Sequence, residues 1–235
     1  MTEAIIPTVT LRDFRRQTRL SLQGICREMF RAAASRMQVH GEAVAVQNLM
    51  KILDATLALA NKKGFAAMSL RDLSARTGLS MGGLYAYIRS KDDLAELIQR
   101  HGRALSQRVL GETLSGIDDP RERLRAAIRA HLYLSEILRA WFYFSYMEAK
   151  HLGPEERRKA VDSEQESEAL FQRILEAGQR SGTFRDTDPQ LAASLLKALL
   201  QDWYLKRGKY RARDIDAERY AEHVIEMMER MLSRD

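Results

Sequence analysis

The chain has 235 residues, 45% of them hydrophobic and 30% charged, with four prolines, thirteen glycines, one cysteine and a formal net charge of +6. That length holds one large domain or two small ones around a substantial core, and abundant Ala, Leu, Arg and Glu with few breakers predict an all-α fold. A lone cysteine excludes an intrachain disulfide, no apolar run approaches the roughly 20 residues needed to cross a bilayer, and the first residues lack a secretory pattern, so the expected location is the cytoplasm.

Charge is unevenly placed. Residues 1–100 hold 15 Lys/Arg against 9 Asp/Glu, whereas residues 101–235 hold 23 of each. The whole positive surplus lies in the first part, which suits a polyanion-binding head on a body with another task. A solvated basic face is the alternative reading.

Residues 1–9 read as a tail broken by Pro7. One long amphipathic helix is expected over 10–37, because Leu11, Phe14, Thr18, Leu22, Ile25, Met29, Ala33 and Met37 recur every three or four positions. Arg12, Arg15, Arg16 and Arg19 cluster at its start, and His40-Gly41 ends it. Either Arg15, Arg16 or Arg19 touches nucleic acid, or the helix packs on the body with its arginines in solvent. Cys26 lies on the apolar stripe, as a buried inert thiol would. A second helix over 43–62 closes at Lys62-Lys63-Gly64, with cations and then glycine at its end.

The run over 69–94, SLRDLSARTGLSMGGLYAYIRSKDDL, carries the densest signals. Ser69 is an N-cap with Asp72 three positions on, so a helix runs to Thr77. Gly78 supplies a left-handed turn, Leu79 plugs the space between helices, and Ser80 caps a short helix to about Tyr87. Ser90 caps the next, with Asp92 and Asp93 in its first turn. Two short helices joined by a tight turn form a helix-turn-helix, whose second helix enters the DNA major groove. Longer helices are expected at 91–113, 119–134, 136–151, 154–180, 189–207 and 214–233, separated by Asp118-Asp119-Pro120, Gly153-Pro154, Gly182 and Asp188-Pro189.

These residues resemble the DNA-binding domain of TetR/AcrR-type transcriptional regulators. The resemblance lies in Gly64-Phe65, Ser69, Gly78-Leu79-Ser80, Gly82, Leu84-Tyr85 and Ser90-Lys91 with Leu94. Tyr87-Ile88 departs from the histidine-phenylalanine common in that family, and the helix over 10–37 extends beyond its usual start. The resemblance implies an N-terminal extension at 1–42, a helix-turn-helix domain at 43–92 and a helical regulatory and dimerisation domain at 93–235. It implies a ligand-responsive repressor, not an enzyme, that binds a pseudo-palindromic operator as a homodimer, with no cofactor. Residues 201–204 (QDWY), 208–210 (GKY) and Tyr220 look like members that sense acyl-CoA thioesters, so the expected effector is an acyl-CoA or another apolar acid.

Ser69 and Ser80 sit at helix N-termini that favour phosphate oxygens. By resemblance Tyr85, Tyr87 and Lys91 join them, Lys91 alternatively being a solvated surface lysine. Arg71 is the expected base reader, as relatives use an arginine there to reach guanine; otherwise it is solvated or paired with Asp72 or Asp93. Met81 is placed to touch a thymine methyl. Gly82 and Gly83 cost about 1 kcal/mol each in a helix relative to alanine. They serve either close approach to DNA or packing between helices.

In the body, residues 140–147 (AWFYFSYM) hold five aromatics in eight positions. They are either core or, with Trp203, the wall of an apolar pocket through Trp141, Phe144, Tyr146 and Met147. Arg139, Arg173 or Arg185 is available for an anionic group. Stripes at Leu191, Leu195, Leu199 and Trp203, and at Val224, Met227, Met228 and Met231, suggest an isologous four-helix dimer surface or an internal core. Two rival classes remain at this point. Glu148 and His151 form one E-x-x-H pair of the kind di-metal bundles use twice, and the long helices would also suit a protein-binding adaptor.

Overall fold

The computed structural model describes residues 9–39, 41–149 and 153–233. Among these the chain is helical, with no strand. The helices are α1 (Leu11–Thr18), α2 (Leu22–Ala33), α3 (Glu42–Lys63), α4 (Leu70–Thr77), α5 (Met81–Tyr85) and α6 (Lys91–Leu114). They continue with α7 (Pro120–Ile137), α8 (Arg139–Glu148), α9 (Pro154–Arg180), α10 (Pro189–Leu205), α11 (Arg207–Arg211) and α12 (Ala217–Leu232).

The single helix expected over 10–37 is two helices and a 3-10 turn, Ala34–Arg36. Arg19 takes the left-handed conformation, φ 49°, and closes α1 by donating its N–H to the Arg15 carbonyl. Ser21 then starts α2, its hydroxyl accepting the Gly24 N–H at 3.1 Å. Near the C-terminus, Asp202 accepts the Lys206 N–H and ends α10 two residues short of the expected 207; α11 follows as a separate turn.

The described chain divides into two compact units. The first holds residues 20–106 and 138–165; the second holds residues up to 19, 107–137 and from 166 onward. These do not coincide with the boundaries drawn at 42/43 and 92/93, because α1 belongs to the second unit while α2 and α8 belong to the first. The unit that carries α4 and α5 holds 17 Lys/Arg against 12 Asp/Glu, and the other holds 21 against 20, so most of the positive surplus stays with the helix-turn-helix.

In the first unit α3 is the central helix. Ala45, Val46, Leu49, Ile52, Leu53, Leu57 and Ala60 are buried along it. By length and mean hydropathy, 1.3, it is apolar enough to cross a membrane, contrary to the reading of the sequence, but half of that window is covered by its own neighbours. From α2, Ile25, Cys26, Met29 and Ala33 are buried. Burial pushes the Cys26 thiol up to about 12, so it is an inert core residue. Trp141 of α8 donates its indole N–H to the Ile98 carbonyl at 3.1 Å, and Phe144 meets Phe65 edge-on with centroids 5.4 Å apart.

The second unit is built around α7, whose Leu124, Ile128, Leu132 and Tyr133 are buried. Val224, Ile225 and Met228 of α12 and Leu196, Leu200 and Trp203 of α10 complete this core. Phe14 of α1 packs edge-on against Tyr133, centroids 5.8 Å apart. One polar contact is deeply placed: Lys197, 8% exposed, has its ammonium 2.9 Å from His131 Nε2. Burial first, and the Lys197 charge second, hold the His131 pKa well below its ordinary value.

Two outcomes test this packing. A Cβ at Gly178 would come within 1.9 Å of the Phe184 ring, whereas one at Gly111 would meet open space. Gly178→Ala is expected to lose about 1–3 kcal/mol in urea unfolding, with Gly111→Ala neutral or slightly stabilising. The second outcome follows from His131. Its folded pKa is depressed, so below about 6.5 the unfolded chain binds a proton that the folded chain refuses. Stability from this residue is complete above that pH and falls as pH drops, by at most about 1.4 kcal/mol per pH unit. Thermal melts from pH 7.5 to 5 are expected to show a shallower decline for His131→Gln than for the wild type.

Candidate nucleic-acid interface

Local caps shape α4 and α5. Ser69 and Asp72 form a reciprocal capping box at the start of α4, and Lys63 adds its ammonium to the Asp72 carboxylate at 2.7 Å. The Lys63 and Ser69 hydrogen bonds hold the Asp72 carboxyl far below its ordinary value. Gly78, φ 72°, closes α4 by donating to the Ser74 carbonyl. Ser74 Oγ donates to the Leu79 carbonyl at 2.6 Å, and Ser80 Oγ accepts the Gly83 N–H at 3.0 Å. Leu73 and Leu84 are fully buried and fix the two helices on the unit.

The expected nucleic-acid residues fall into two groups. Arg71, Ser69, Ser80, Gly82 and Tyr85 are exposed, Tyr85 at 51%. Met81 and Gly83 are half-buried beside them. Arg71 makes no ion pair among the described residues. The two neighbouring carboxylates are engaged elsewhere, Asp72 with Ser69 and Lys63, and Asp93 with the Arg89 N–H at 2.8 Å. A Cβ on Gly82 would meet no atom within 4 Å, so packing inside the chain does not require that glycine.

Tyr87 and Lys91 are placed differently. Tyr87 is buried, and its hydroxyl accepts the Asn48 side-chain N–H at 2.9 Å. Lys91 directs its ammonium to the carbonyls of Phe65, Ala66 and Met68 at 3.1, 2.9 and 3.1 Å, and lies over the Phe65 ring. Both brace the helix-turn-helix from within. Asn48 and Gln38, whose backbone N–H donates to the Ala86 carbonyl at 2.8 Å, were not singled out from the sequence, and Lys63 was read only as part of a helix end.

The aromatic candidates for an effector pocket fall in both units. Trp141 and Phe144 are core residues of the first unit, and Tyr146 and Met147 of the same helix are exposed. Trp203 belongs to the second unit, where its indole donates to Glu136 at 3.1 Å and its ring packs on Tyr210 and Tyr220. Of the two apolar stripes, Leu191 and Leu195 are each 56% exposed and Met227 46%, while Leu199 and Met231 are half-buried. Val224, Met228 and Trp203 turn inward instead, onto the protomer's own core. Glu148 is buried with Oε1 accepting the Phe65 N–H at 3.0 Å; its expected partner His151 lies outside the described residues.

Two family models match this chain. Residues 52–98 match "Bacterial regulatory proteins, tetR family", and residues 117–228 match "Tetracyclin repressor-like, C-terminal domain". A curated relative, the HTH-type transcriptional regulator BetI of Paraburkholderia phytofirmans, is 28% identical over 161 residues, covering 66% of this chain and 79% of its own. The TetR family regulator PfmR of Thermus thermophilus superposes with a TM-score of 0.69 at 28% identity, over 78% of this chain and 99% of its own. AibR, solved with isovaleryl coenzyme A and operator DNA, superposes with a TM-score of 0.67 at 22% identity, over 75% of this chain and 95% of its own. The matched N-terminal region contains all of α4 and α5, and the relatives are regulators, not enzymes. The chain belongs to the TetR family of transcriptional regulators, with α4 and α5 as its helix-turn-helix DNA-binding element.

Proposed function

We propose that this regulator binds a pseudo-palindromic operator as a homodimer and is released as a repressor by a small apolar or acyl-type effector in the bacterial cytoplasm. The observation that carries the DNA-binding part is the group of exposed residues on a rigid base. Arg71, Ser80, Gly82 and Tyr85 face solvent while Leu73 and Leu84 are fully buried beneath them. Arg71 reads a guanine edge, since a guanidinium fork matches guanine O6 and N7. Ser80 and Tyr85 take phosphate oxygens, and the Ser69 cap presents the α4 N-terminus to another. Met81 supplies an apolar contact, and Gly82 with Gly83 lets the α5 backbone approach the groove. Tyr87 and Lys91 act on this surface by holding it in place.

The exposed Leu191, Leu195 and Met227, flanked by Leu199 and Met231, support a second copy of the chain as their cover. A two-fold dimer sets two recognition helices about one DNA turn, roughly 34 Å, apart. An effector that favours another separation lowers operator affinity by its differential binding to the two states. AibR, solved with both an acyl-CoA and operator DNA, supports an acyl thioester or related apolar acid as that effector.

Selection of bound duplexes from a random pool at moderate salt tests the reading. An inverted repeat is expected, and affinity for it is expected to fall steeply with salt as phosphate contacts displace counterions. On that duplex, Arg71→Ala is expected to relax preference at one base pair per half-site, by about 1–3 kcal/mol. Weakening that is uniform over all sequences would reassign Arg71 to phosphate. Gly82→Ala separates groove approach from packing. It is expected to raise stability by about 0.5–1 kcal/mol, because its methyl meets open space, and yet to weaken operator binding at least tenfold. Unchanged binding would remove Gly82 from the interface.

A further inference from the structure

The segment ahead of α3 lies outside both matched family regions, the first of which begins at residue 52. It is nonetheless well anchored, and at two places. Its first helix, α1, is part of the second unit: Phe14 packs on Tyr133 of α7, and the Leu11 N–H donates to the Glu218 carboxylate of α12 at 2.9 Å. Its second helix, α2, is part of the first unit and packs on α3 through Ile25, Cys26 and Met29. Beyond α2, Met37 is buried, and the Gln38 N–H donates to the Ala86 carbonyl at 2.8 Å.

That last bond is informative. Ala86 is the C-cap of α5, so its carbonyl is one of the groups a helix end leaves without an internal partner. The partner comes from a segment almost fifty positions earlier, and it sits at the end of the recognition helix. Between the two anchored helices only residues 19–21 are non-helical. Such a link spans at most about 3.5 Å per residue, so it limits how far the end of α1 can move from the start of α2.

We propose that residues 10–38 form a strap that couples α7 and α12 to the C-terminal end of the recognition helix, by a route separate from the continuous helix α6. A shift of α7 or α12 displaces α1, and the short link passes the displacement through α2 to Gln38 and Ala86. This rests on the DNA-binding reading above. It assigns a role to a part of the chain that the matched family regions do not include.

Coupling is reciprocal, so DNA held by α5 must be felt at α1. The test is hydrogen exchange of the full chain, with and without the selected duplex. In the wild type, DNA is expected to slow exchange at 81–90 and, at least threefold, at the amides of α1. Inserting Gly-Ser-Gly-Ser between Leu20 and Ser21 keeps both anchors but slackens the link. This variant is expected to retain protection at 81–90 and lose the response at α1. Phe14→Ala, which frees α1 from Tyr133 without altering the link, is expected to do the same and decides the matter should the insertion unfold the chain. A wild-type α1 that ignores DNA, or an equal α1 response in the variants, overturns the strap alone. Absence of protection at 81–90 in the wild type overturns the DNA-binding reading and the strap with it.

Discussion

One ammonium group closes the corner from which the DNA-binding helices project. The three hydrogens of Lys91 are directed at three carbonyls, those of Phe65, Ala66 and Met68, in the loop between α3 and α4. Lys91 is also the first residue of α6, so the loop is tied to the start of that helix. The Phe65 N–H donates to Glu148, and the Phe65 ring contacts both the ammonium and Phe144. The capping box at Ser69 begins directly after this loop, with Lys63 closing on Asp72 from the end of α3. The direction of α4, and through the Ser74–Leu79 and Ser80 turn that of α5, follows from this fixed corner.

Much of this site was legible in the sequence because helix caps are local. Ser69 with Asp72, Gly78 and Ser80 announce their roles within four residues, and each makes the backbone contact its position implies. The side chains that misled do their work through distant partners. The destination of Lys91 is 23–26 positions away and that of Tyr87 is 39 away, so neither is readable from a helical pattern. The break in the N-terminal helix is hidden in the sequence because the apolar period runs on through it. Phe14, Ile25 and Met29 keep helical spacing, yet Phe14 is buried in one unit and the other two in the other. Only Ser21, a good N-cap, marked the interruption, and no glycine or proline stands beside it. On α12, the pairs Val224/Met228 and Met227/Met231 have the same spacing. Which pair turns inward depends on where α7 lies.

The same break gives the N-terminal segment its interest. A single rigid helix would have been one more packing element. Two helices joined by three residues, each anchored in a different unit, form a connection that carries displacement. The arginines at 12, 15, 16 and 19 belong to the second unit, while Arg71 and Tyr85 belong to the first.

The central claim is that α5 lies in the major groove with its exposed side on the bases, twice per operator. Placing a photo-cross-linking amino acid at position 85, in complex with the selected duplex, tests it most directly. Cross-links are expected in two patches whose centres are about ten base pairs apart, or a multiple of that spacing, on one face of the DNA. Cross-links scattered along the duplex, or none from a chain that still binds, would contradict it.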